Sequence, residues 1–496
     1  MQMLSDFMSK LNDLLWGPIA IFGGAPVLGW LSPLAILLVG TGLWFTFNLG
    51  FIQLRGFKKG WNAVFGGMLK KSEKAGKHGM SSFQALATAI AAQVGTGNIV
   101  GASTAIAAGG PGAIFWMWIA AFFGMATIYV EAVLAQKYKK VGDDGHVTGG
   151  PVYYITVAFK GTFGKILAAL FAIFIILSLG FLGCAVQSNG IATAWNTVVG
   201  EGGLGAPVTL PILNVTVPMI QPIIGLILAI IAFLIFAGGI SSIASFTEKV
   251  VPAMAIIFII GSLFVIITHI TWVPWIFERI FVGAFNPQAV FGGAVGVMIK
   301  DAVSKGVARG LFSNEAGMGS TPHAHAVAKV DHPTHQGYVA MMGVFIDTFI
   351  ILNLTAFIVI GSGMYDPANN EGVQLTGAAL AQAGFREGLK GFGNIFIAFC
   401  LTFFAFSTVI GWYFFGEANF KYLTKAKGVK IYATIVCICI FLGSLAEVDW
   451  IWNLQDNLNG LMVIPNLIGI LALTGVVKSL MKEDDFRSSV KNHFLL

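Results

Sequence analysis

The chain has 496 residues, of which 56% are hydrophobic and 10% are charged, and its formal net charge is +6. The mean hydropathy of +0.81 excludes a soluble domain of this length and indicates a polytopic membrane protein. The basic residues lie in short loops between apolar runs, so the positive charge reports membrane topology and does not indicate nucleic-acid binding.

The chain begins with an amphipathic segment, and apolar runs long enough to cross a bilayer follow it. Over residues 1–15, apolar residues recur at helical spacing, which is typical of a helix lying in the membrane interface. At about 20 residues per span, the rest of the sequence predicts eleven transmembrane helices. They are predicted near residues 31–54, 81–110, 112–136, 163–196, 218–239, 245–271, 286–310, 337–362, 391–416, 431–447 and 456–480.

The distribution of lysine and arginine predicts the orientation of these helices. The loop at 55–77 carries seven Lys or Arg residues, whereas the loop at 200–218 carries none. The positive-inside rule makes the first loop cytoplasmic and the second external. We therefore expect an external N-terminus, a cytoplasmic C-terminus and location in the plasma membrane, which is the inner membrane of a bacterium.

The number of helices predicts an internal repeat. Once the first helix is set aside, ten remain, and two sets of five start on opposite sides of the membrane because five is an odd number of crossings. This arrangement is typical of the inverted repeats of secondary transporters. The predicted fold is therefore all-α and polytopic. Its parts are an N-terminal region with the first transmembrane helix and basic loop, a first repeat, a second repeat and a cytoplasmic tail, at 1–80, 81–271, 272–482 and 483–496.

The first helix of each set contains a glycine-rich interruption. Residues 93–98 read Gln-Val-Gly-Thr-Gly-Asn, and residues 291–296 read Phe-Gly-Gly-Ala-Val-Gly. Unwound backbone at membrane depth is tolerated only where it is buried in protein or lines a polar cavity. The sequence therefore predicts two discontinuous helices around a shared site. The register of the second break is open, between 291–296 and a position displaced toward Gly310.

The two ends of an interrupted helix offer different binding chemistry. Free N–H groups suit a carboxylate, and free C=O groups suit a hard cation such as sodium. The carbonyl oxygens of Ala91 and Val94 are two predicted cation ligands. The hydroxyls of Ser407 and Thr408, in the ninth predicted helix, are candidates for two more, although such hydroxyls often bond to their own helix.

Three motifs carry a resemblance to a known family. They are the break at 93–98, the Gly-Gly-Pro-Val-Tyr-Tyr stretch at 149–154, and the Arg-Gly-Leu-Phe-Ser-Asn-Glu-Ala-Gly stretch at 309–317. Over residues 34–482 the chain resembles the alanine or glycine:cation symporter family, the sodium:alanine symporters, and more distantly the leucine-transporter architecture. The resemblance implies uptake of alanine or glycine coupled to sodium, or to protons, by alternating access.

The resemblance also implies roles for individual residues. The stretch Gly95, Thr96, Gly97 and Asn98 looks like the family's carboxylate-facing segment, and Gln187 looks like a polar contact to one end of the amino acid. The other implied contacts are Phe291 and Val295 as apolar walls, Trp412 as a lid over the methyl group of alanine, and Ala91, Val94, Ser407 and Thr408 as ligands of the co-transported sodium ion.

Some residues have alternative interpretations. Gln187 also fits a simple hydrogen bond between helices. Asp347 lies roughly 15 Å into its predicted helix at 1.5 Å per residue, and a carboxylate at that depth indicates function. It belongs either to the ion path or to a structural pair with Lys300, Lys305 or Arg309. The last three recur with Asp301 at helical spacing, which predicts a cytoplasmic half-helix with one wet face.

Three function classes are separated by sequence features. An intramembrane metalloprotease would need a His-Glu-x-x-His motif, and an aspartyl one a second matched Asp within a span; neither is present. A non-enzymatic carrier of alanine or glycine, functioning as a monomer in the lipid bilayer, is therefore the leading prediction. A transporter of another small zwitterion with this architecture and a cation-conducting channel are the alternatives.

Overall fold

The computed structural model describes residues 2–17, 32–68, 79–141, 147–211, 214–285, 299–369, 372–446 and 449–493. These residues form 22 α-helices and two short antiparallel β-hairpins. The helices of the first half are α1 (Gln2–Trp16), α2 (Pro33–Asn48), α3 (Ile52–Arg55), α4 (Phe57–Met68), α5 (Ser82–Gln93), α6 (Ala102–Gly109), α7 (Ala113–Lys137), α8 (Pro151–Ala158), α9 (Thr162–Ile175), α10 (Cys184–Val199), α11 (Ile220–Ala237) and α12 (Gly239–Thr268).

The second half continues with ten helices. They are α13 (Trp272–Phe285), α14 (Ile299–Asn314), α15 (Pro322–Ala326), α16 (Pro333–Val344), α17 (Asn353–Gly361), α18 (Gly377–Leu389), α19 (Gly393–Thr424), α20 (Val429–Leu445), α21 (Asp449–Ala472) and α22 (Thr474–His493). The hairpins pair β1 (Lys140–Val141) with β2 (Val147–Thr148), and β3 (Pro207–Leu210) with β4 (Val215–Pro218). Three wide π-helical turns lie at Gly97–Gly101, Ile176–Gly183 and Phe345–Leu352.

The described residues confirm an all-α polytopic membrane protein. Six helical stretches are long and apolar enough to span a membrane, and the number rises to eight if two bent helix pairs each count as one span. Two predicted spans, at 31–54 and 431–447, correspond to α2 and α20, which have 16 and 17 residues. The run at 286–310 is described only from residue 299. The count of eleven and the inverted repeat stay predictions.

The degree of burial separates central helices from peripheral ones. In the most apolar part of the stretch Gly377–Thr424, 78% of residues are buried, against 28% in both α11 and α12. Because lipid is as apolar as a protein core, large exposed side chains such as Leu226, Leu234 and Ile260 on α11 and α12 need no further cover. Helices α5, α7 and α19 therefore form the centre of the protein, and α11 and α12 face lipid.

Helix α5 has a clearly encoded start and a clearly encoded end. The side chain of Ser81 accepts a hydrogen bond from the backbone N–H of Gln84, and the Gln84 side chain accepts one from the Ser81 N–H, which is a complete capping box. At the other end, the helix stops at Gln93 and resumes only at Gly97, with a bend of 46°. The predicted interruption at 93–98 is present.

A second described interruption follows α14. Helix α14 ends at Asn314, and the following segment has positive φ angles at Glu315 (57°), Gly317 (87°) and Gly319 (77°). This segment is buried and lies beside the middle of α7, where a Cβ on Gly124 would be 2.9 Å from the Ala316 side chain. The predicted break at 291–296 lies outside the described residues.

The position of α14 brings two of the sequence predictions into conflict. A Cβ on Gly109 would lie 3.0 Å from the carbonyl oxygen of Asp301, and one on Gly310 would lie 3.2 Å from the Met117 Cα. Helix α14 therefore packs along the half of α7 that begins at Ala113, which the loop charges predict to be external. The predicted orientation of the loops and the predicted cytoplasmic half-helix carrying Lys300, Asp301, Lys305 and Arg309 are therefore incompatible with each other, and both stay predictions.

A buried carboxylate holds the second interruption in place. Glu131 of α7 accepts hydrogen bonds from the backbone N–H groups of Gly317 and Gly319, at 3.1 and 3.0 Å. The side chain of Asn466 in α21 donates to Glu131 at 2.5 Å and to the carbonyl oxygen of Gly317 at 2.9 Å. Unwound backbone inside a membrane protein needs such partners, because buried N–H and C=O groups must be hydrogen-bonded.

Candidate functional site

The centre of the candidate site is the unwound segment between α5 and Gly97. Val94 has φ −83° and ψ 88°, which is not helical, so its own carbonyl and the neighbouring N–H groups leave the helical ladder. The side chains of Thr96 and Asn98 are fully buried, as are Ala91 and Val94 to within 1%. The segment is therefore unwound backbone enclosed by protein.

The carbonyl side of the break faces two hydroxyls of α19. Thr408 Oγ1 lies 2.8 Å from the carbonyl oxygen of Ala91 and 3.4 Å from that of Val94. Ser407 Oγ lies 3.5 Å from the Ala91 carbonyl oxygen and 2.9 Å from that of Phe404 in its own helix. The structure thus brings together all four oxygens predicted as sodium ligands, and oxygen atoms are what a hard cation requires.

The amide side of the same break faces two side-chain amides. The backbone N–H of Gly95 donates to Asn98 Oδ1 and that of Thr96 donates to Gln187 Oε1, both at 3.1 Å. These two N–H groups point toward acceptor oxygens, as they would toward a carboxylate. Gln187 therefore does make a hydrogen bond between helices, and its partner is the predicted carboxylate-facing segment.

Gly95 lies between the carbonyl side and the amide side of the break, and only its backbone separates them. A Cβ on this residue would clash with Thr408 Oγ1 and would lie 3.2 Å from Gln187 Oε1. A Cβ on Gly97 would lie 3.1 Å from the Cα of Ser313, which belongs to α14. Glycine is needed at these positions because the neighbouring elements approach the backbone too closely for a side chain.

Two buried polar atoms of the break have no hydrogen-bond partner among the described residues. They are the hydroxyl oxygen of Thr96 and the side-chain oxygen of Gln93. Most buried polar side-chain atoms are paired, so these atoms mark a place where a bound polar solute or ion fits. The side-chain nitrogen of Gln93 is paired, and it donates to the carbonyl oxygen of Asn314 at 2.7 Å.

Asp347 lies next to the first break and carries no ion pair with Lys305 or Arg309. Its Oδ1 accepts a hydrogen bond from Asn98 Nδ2 at 2.6 Å, and its Oδ2 accepts one from Ser313 Oγ at 3.2 Å. Arg309 instead contacts Asp456 of α21, with 3.4 Å between Nη2 and Oδ2. The predicted structural pairing of Asp347 with these two basic residues is wrong, and the side chain of Lys300 is not described. The place of Asp347 in an ion path stays a prediction.

Trp412 connects α19 to the second interruption. Its indole N–H donates to Glu315 Oε1 at 2.5 Å, and its ring lies against the wide turn before α10, where a Cβ on Gly183 would be 2.6 Å from it. The ring of Phe312 is 6.4 Å away and perpendicular. The predicted apolar walls Phe291 and Val295 lie outside the described residues.

Sequence reasoning missed three residues that the structure places here. Ser313 contacts Asp347, Glu315 accepts from both Trp412 and Ser320 at 2.5 Å, and Gln93 bridges the two interruptions. A signal for the first two was available, because the family-specific stretch at 309–317 contains an acidic residue two positions before a glycine. That stretch received no role because the second break was predicted elsewhere.

The fold and the site together define a class of protein. A multi-pass helical membrane protein with two interrupted helices that meet around enclosed backbone donors and oxygen acceptors is a membrane transporter of small solutes. Over residues 2–494 the chain matches the sodium:alanine symporter family, and it belongs to this family. It is therefore a cation-coupled amino-acid transporter and not an enzyme.

Several relatives span nearly the whole chain. A sodium/alanine symporter of Methanococcus maripaludis, AgcS, is 40% identical over 478 residues, which is 96% of each chain. A probable sodium/glutamine symporter of Bacillus subtilis, GlnT, is 38% identical over 483 residues, covering 97% of this chain and 91% of that one. A putative sodium/proton-dependent alanine carrier of the same bacterium, YrbD, is 37% identical over 488 residues, covering 95% and 90%.

Proposed function

We propose that this protein is a symporter that couples inward movement of sodium to uptake of alanine or glycine by alternating access. The observation that carries the proposal is the position of Gly95. The hydroxyl of Thr408 lies on one side of it and the amide oxygen of Gln187 on the other, both too close to leave normal room for a side chain. A cation bound on the first side and a carboxylate on the second would share one short piece of backbone.

The proposed order of binding follows from this shared backbone. Sodium binds first to the carbonyl oxygens of Ala91 and Val94 and to the hydroxyls of Ser407 and Thr408. Because it ties α5 to α19, it holds the N–H groups of Gly95 and Thr96 in the orientation that a carboxylate needs. Preorganised donors bind an anion more tightly, since less ordering remains to be done on binding.

The amino acid then replaces side-chain oxygens at the two N–H groups. Its carboxylate takes the place of Asn98 Oδ1 and Gln187 Oε1, and the unpaired hydroxyl of Thr96 supplies a further donor. Trp412, with Phe291 and Val295 as apolar walls, limits the side chain to a hydrogen or a methyl group.

Sodium is the preferred coupling ion because the four oxygens beside the break are all uncharged. None of them has an acidic proton to exchange, whereas a proton-coupled step would need a carboxyl group such as Asp347. A relative is named a putative sodium/proton-dependent alanine carrier, so the two ions are distinguished by experiment below. In this proposal Asp347 orients Asn98.

Substrate size is the second open choice. One relative is named a probable sodium/glutamine symporter, and the side chain of glutamine is longer than that of alanine or glycine. The names of relatives therefore refer to substrates whose side chains differ in length. Transport of another small zwitterion by the same site is therefore the alternative to alanine or glycine. Competition among amino acids of increasing length decides between them.

The proposed setting is the plasma membrane, or the inner membrane of a bacterium, with an external N-terminus and a cytoplasmic C-terminus. The two five-helix repeats, at 81–271 and 272–482, would rock against each other, and one chain would contain the whole transport path. A monomer embedded in the lipid bilayer is thus the proposed functional unit.

The test is uptake of radiolabelled alanine into proteoliposomes that contain the purified full-length protein. An imposed inward sodium gradient should drive saturable uptake, and unlabelled glycine should compete. An equal proton gradient without sodium should not drive it. Uptake driven by protons alone would overturn sodium coupling, and a sodium current that needs no amino acid and does not saturate would favour a channel.

A further inference from the structure

A cavity of about 600 Å³ lined by several lysines lies at the end of the molecule that the loop charges predict to be cytoplasmic. Its walls come from the β1–β2 hairpin, the turn between α11 and α12, and the end of α19. All of these elements are at helix ends, where the chain turns back into the membrane. The cavity therefore opens at the level of the lipid headgroups.

The charged side chains of the cavity leave it positive. The described lining contains Lys140, Lys421 and Lys425 with one carboxylate, Glu417, so these residues contribute three positive charges and one negative, a net charge of +2. Glu417 is already engaged by Lys421, with 2.7 Å between Oε1 and Nζ. Among the described residues that line the cavity, no carboxylate is paired with Lys140 or Lys425, which favours an anionic ligand.

The neutral groups of the cavity also suit an anion at the membrane surface. His323 adds no charge, because its Nδ1 donates to the carbonyl of Ser320 at 2.7 Å and its Nε2 accepts from Asn419 at 2.8 Å. Thr148 and Ser241 provide hydroxyls. Tyr153 and Tyr422 line the opening with ring centroids 5.8 Å apart, and tyrosine is enriched at the membrane interface.

An apolar groove of about 380 Å³ lies between two helices, deeper in the membrane than the cavity. Its lining is made by α11 and α20. Leu234 of the groove precedes Gly238 of the cavity by one turn, which is about 6 Å of helix rise. The groove includes the exposed side chains of Ile230, Phe233 and Ile438, and its one hydroxyl, on Thr434, is bonded to the Lys430 carbonyl.

We propose that the cavity binds the phosphate headgroup of an anionic membrane lipid, with one acyl chain in the groove between α11 and α20. Basic pockets between helices on the cytoplasmic side of a membrane protein recognise anionic headgroups. A cavity lined by lysines and followed by an apolar groove one turn deeper matches the headgroup and chain of a phospholipid. This lipid site is separate from the proposed transport function and does not depend on it.

The test compares retention of two lipids by the full-length protein, measured by native mass spectrometry after extraction from mixed vesicles. The probes are phosphatidylglycerol and phosphatidylcholine with identical acyl chains. The anionic lipid should be retained preferentially. The double variant Lys140→Gln/Lys425→Gln should lower its retention about thirtyfold, since each lysine near a phosphate contributes a factor of about five.

Three controls make the result decisive. The double variant Lys160→Gln/Lys165→Gln, which removes equal charge at the start of α9 and outside the cavity's lining, should retain the lipid as the parent does. Lys140→Arg/Lys425→Arg keeps the charge and should also retain it, which excludes misfolding as the cause of loss. Equal losses in the two glutamine doubles would overturn the site, because they would indicate only general surface attraction.

Two further arms test the identity of the ligand. Millimolar inorganic phosphate should not displace phosphatidylglycerol, and displacement to the level of the Lys140→Gln/Lys425→Gln variant would make the ligand a free anion and overturn the lipid proposal. Cys437→Trp, which fills the groove, should lower retention of the diacyl lipid. Unchanged retention in that variant would overturn the acyl-chain part.

Discussion

The hydroxyl of Thr408 in α19 donates to the carbonyl oxygen of Ala91 in α5 at 2.8 Å, across 317 positions of sequence. The carbonyl belongs to the last turn of a helix that is about to unwind, so it has no partner in its own helix. The contact joins the interrupted helix to a continuous, buried one. Any ion that binds between these oxygens therefore changes the geometry of the interruption itself.

Replacing Thr408 with Ala should raise the sodium concentration needed for half-maximal alanine uptake by about tenfold. If the lost ligand oxygen contributes roughly 1.4 kcal/mol to the free energy of sodium binding, its removal lowers the sodium affinity about tenfold. The measurement is uptake against sodium concentration in proteoliposomes. Thr197→Ala, which removes an exposed hydroxyl bonded within α10, serves as the control. An unchanged sodium requirement would remove Thr408 from the ion site.

Replacing Gly95 with Ala should abolish sodium-driven uptake while the protein remains folded. The new methyl group would clash with Thr408 Oγ1, and the break would have to move away from α19. Gly101→Ala is the matched control on the same segment, because its Cβ would have 4.0 Å to the nearest atom. Full uptake by Gly95→Ala would contradict the close packing that carries the proposed coupling.

Replacing Gln187 with Ala should raise the KM for alanine and leave the sodium requirement nearly unchanged. The variant removes the acceptor that orients the Thr96 N–H before the carboxylate replaces it, and it removes a group predicted to contact the amino acid. We expect a rise of about tenfold, since losing a hydrogen bond to a charged group is worth 1.5–3 kcal/mol. Gln374→Ala, at an exposed position, is the control. An equal rise in the KM for alanine and in the sodium requirement would argue for a purely structural role.

Replacing Asp347 with Asn keeps the size of the side chain and removes its charge. Asn98 then loses the charged acceptor 2.6 Å away, so sodium-driven uptake should fall at least about tenfold. Uptake under a proton gradient is measured in parallel. If the parent protein uses protons and the variant keeps only sodium-driven uptake, Asp347 belongs to a proton path and the positioning role is wrong.

Replacing Trp412 separates its bulk from its hydrogen bond to Glu315. Trp412→Ala should admit longer side chains, so that glutamine and leucine compete with alanine for uptake. Trp412→Phe keeps much of the bulk but loses the N–H that bonds Glu315, and it should keep the narrow substrate range. The readout is inhibition of alanine uptake by each amino acid. An unaltered range in Trp412→Ala would count against the predicted lid.

Local sequence signals were sufficient for the first interruption and for both of its faces. Glycines in an apolar run weaken the helix, and helix direction alone determines that the carbonyls of Ala91 and Val94 and the N–H groups of Gly95 and Thr96 become free. The partners were also predictable by type, because hydroxyls and amides are rare at this depth. Ser407, Thr408 and Gln187 indeed contact the break.

The second interruption could not be located in the same way. Its backbone groups at Gly317 and Gly319 are satisfied by Glu131, which lies 186 and 188 positions away, and by Asn466 of α21. The glycine cluster at 291–296 is the more conspicuous local signal, and nothing local shows that a distant carboxylate stabilises the segment after Asn314.

The sequence by itself therefore determined the membrane class, the first broken helix and the chemistry of its two ends, because these depend on composition, glycine and helix polarity. Only the tertiary structure showed that the backbone is interrupted after Asn314 and that Asp347 bonds Asn98, with Arg309 turned to Asp456. These choices depend on which buried polar groups meet across the packed helices, and a buried group takes whichever partner the packing brings within hydrogen-bonding distance.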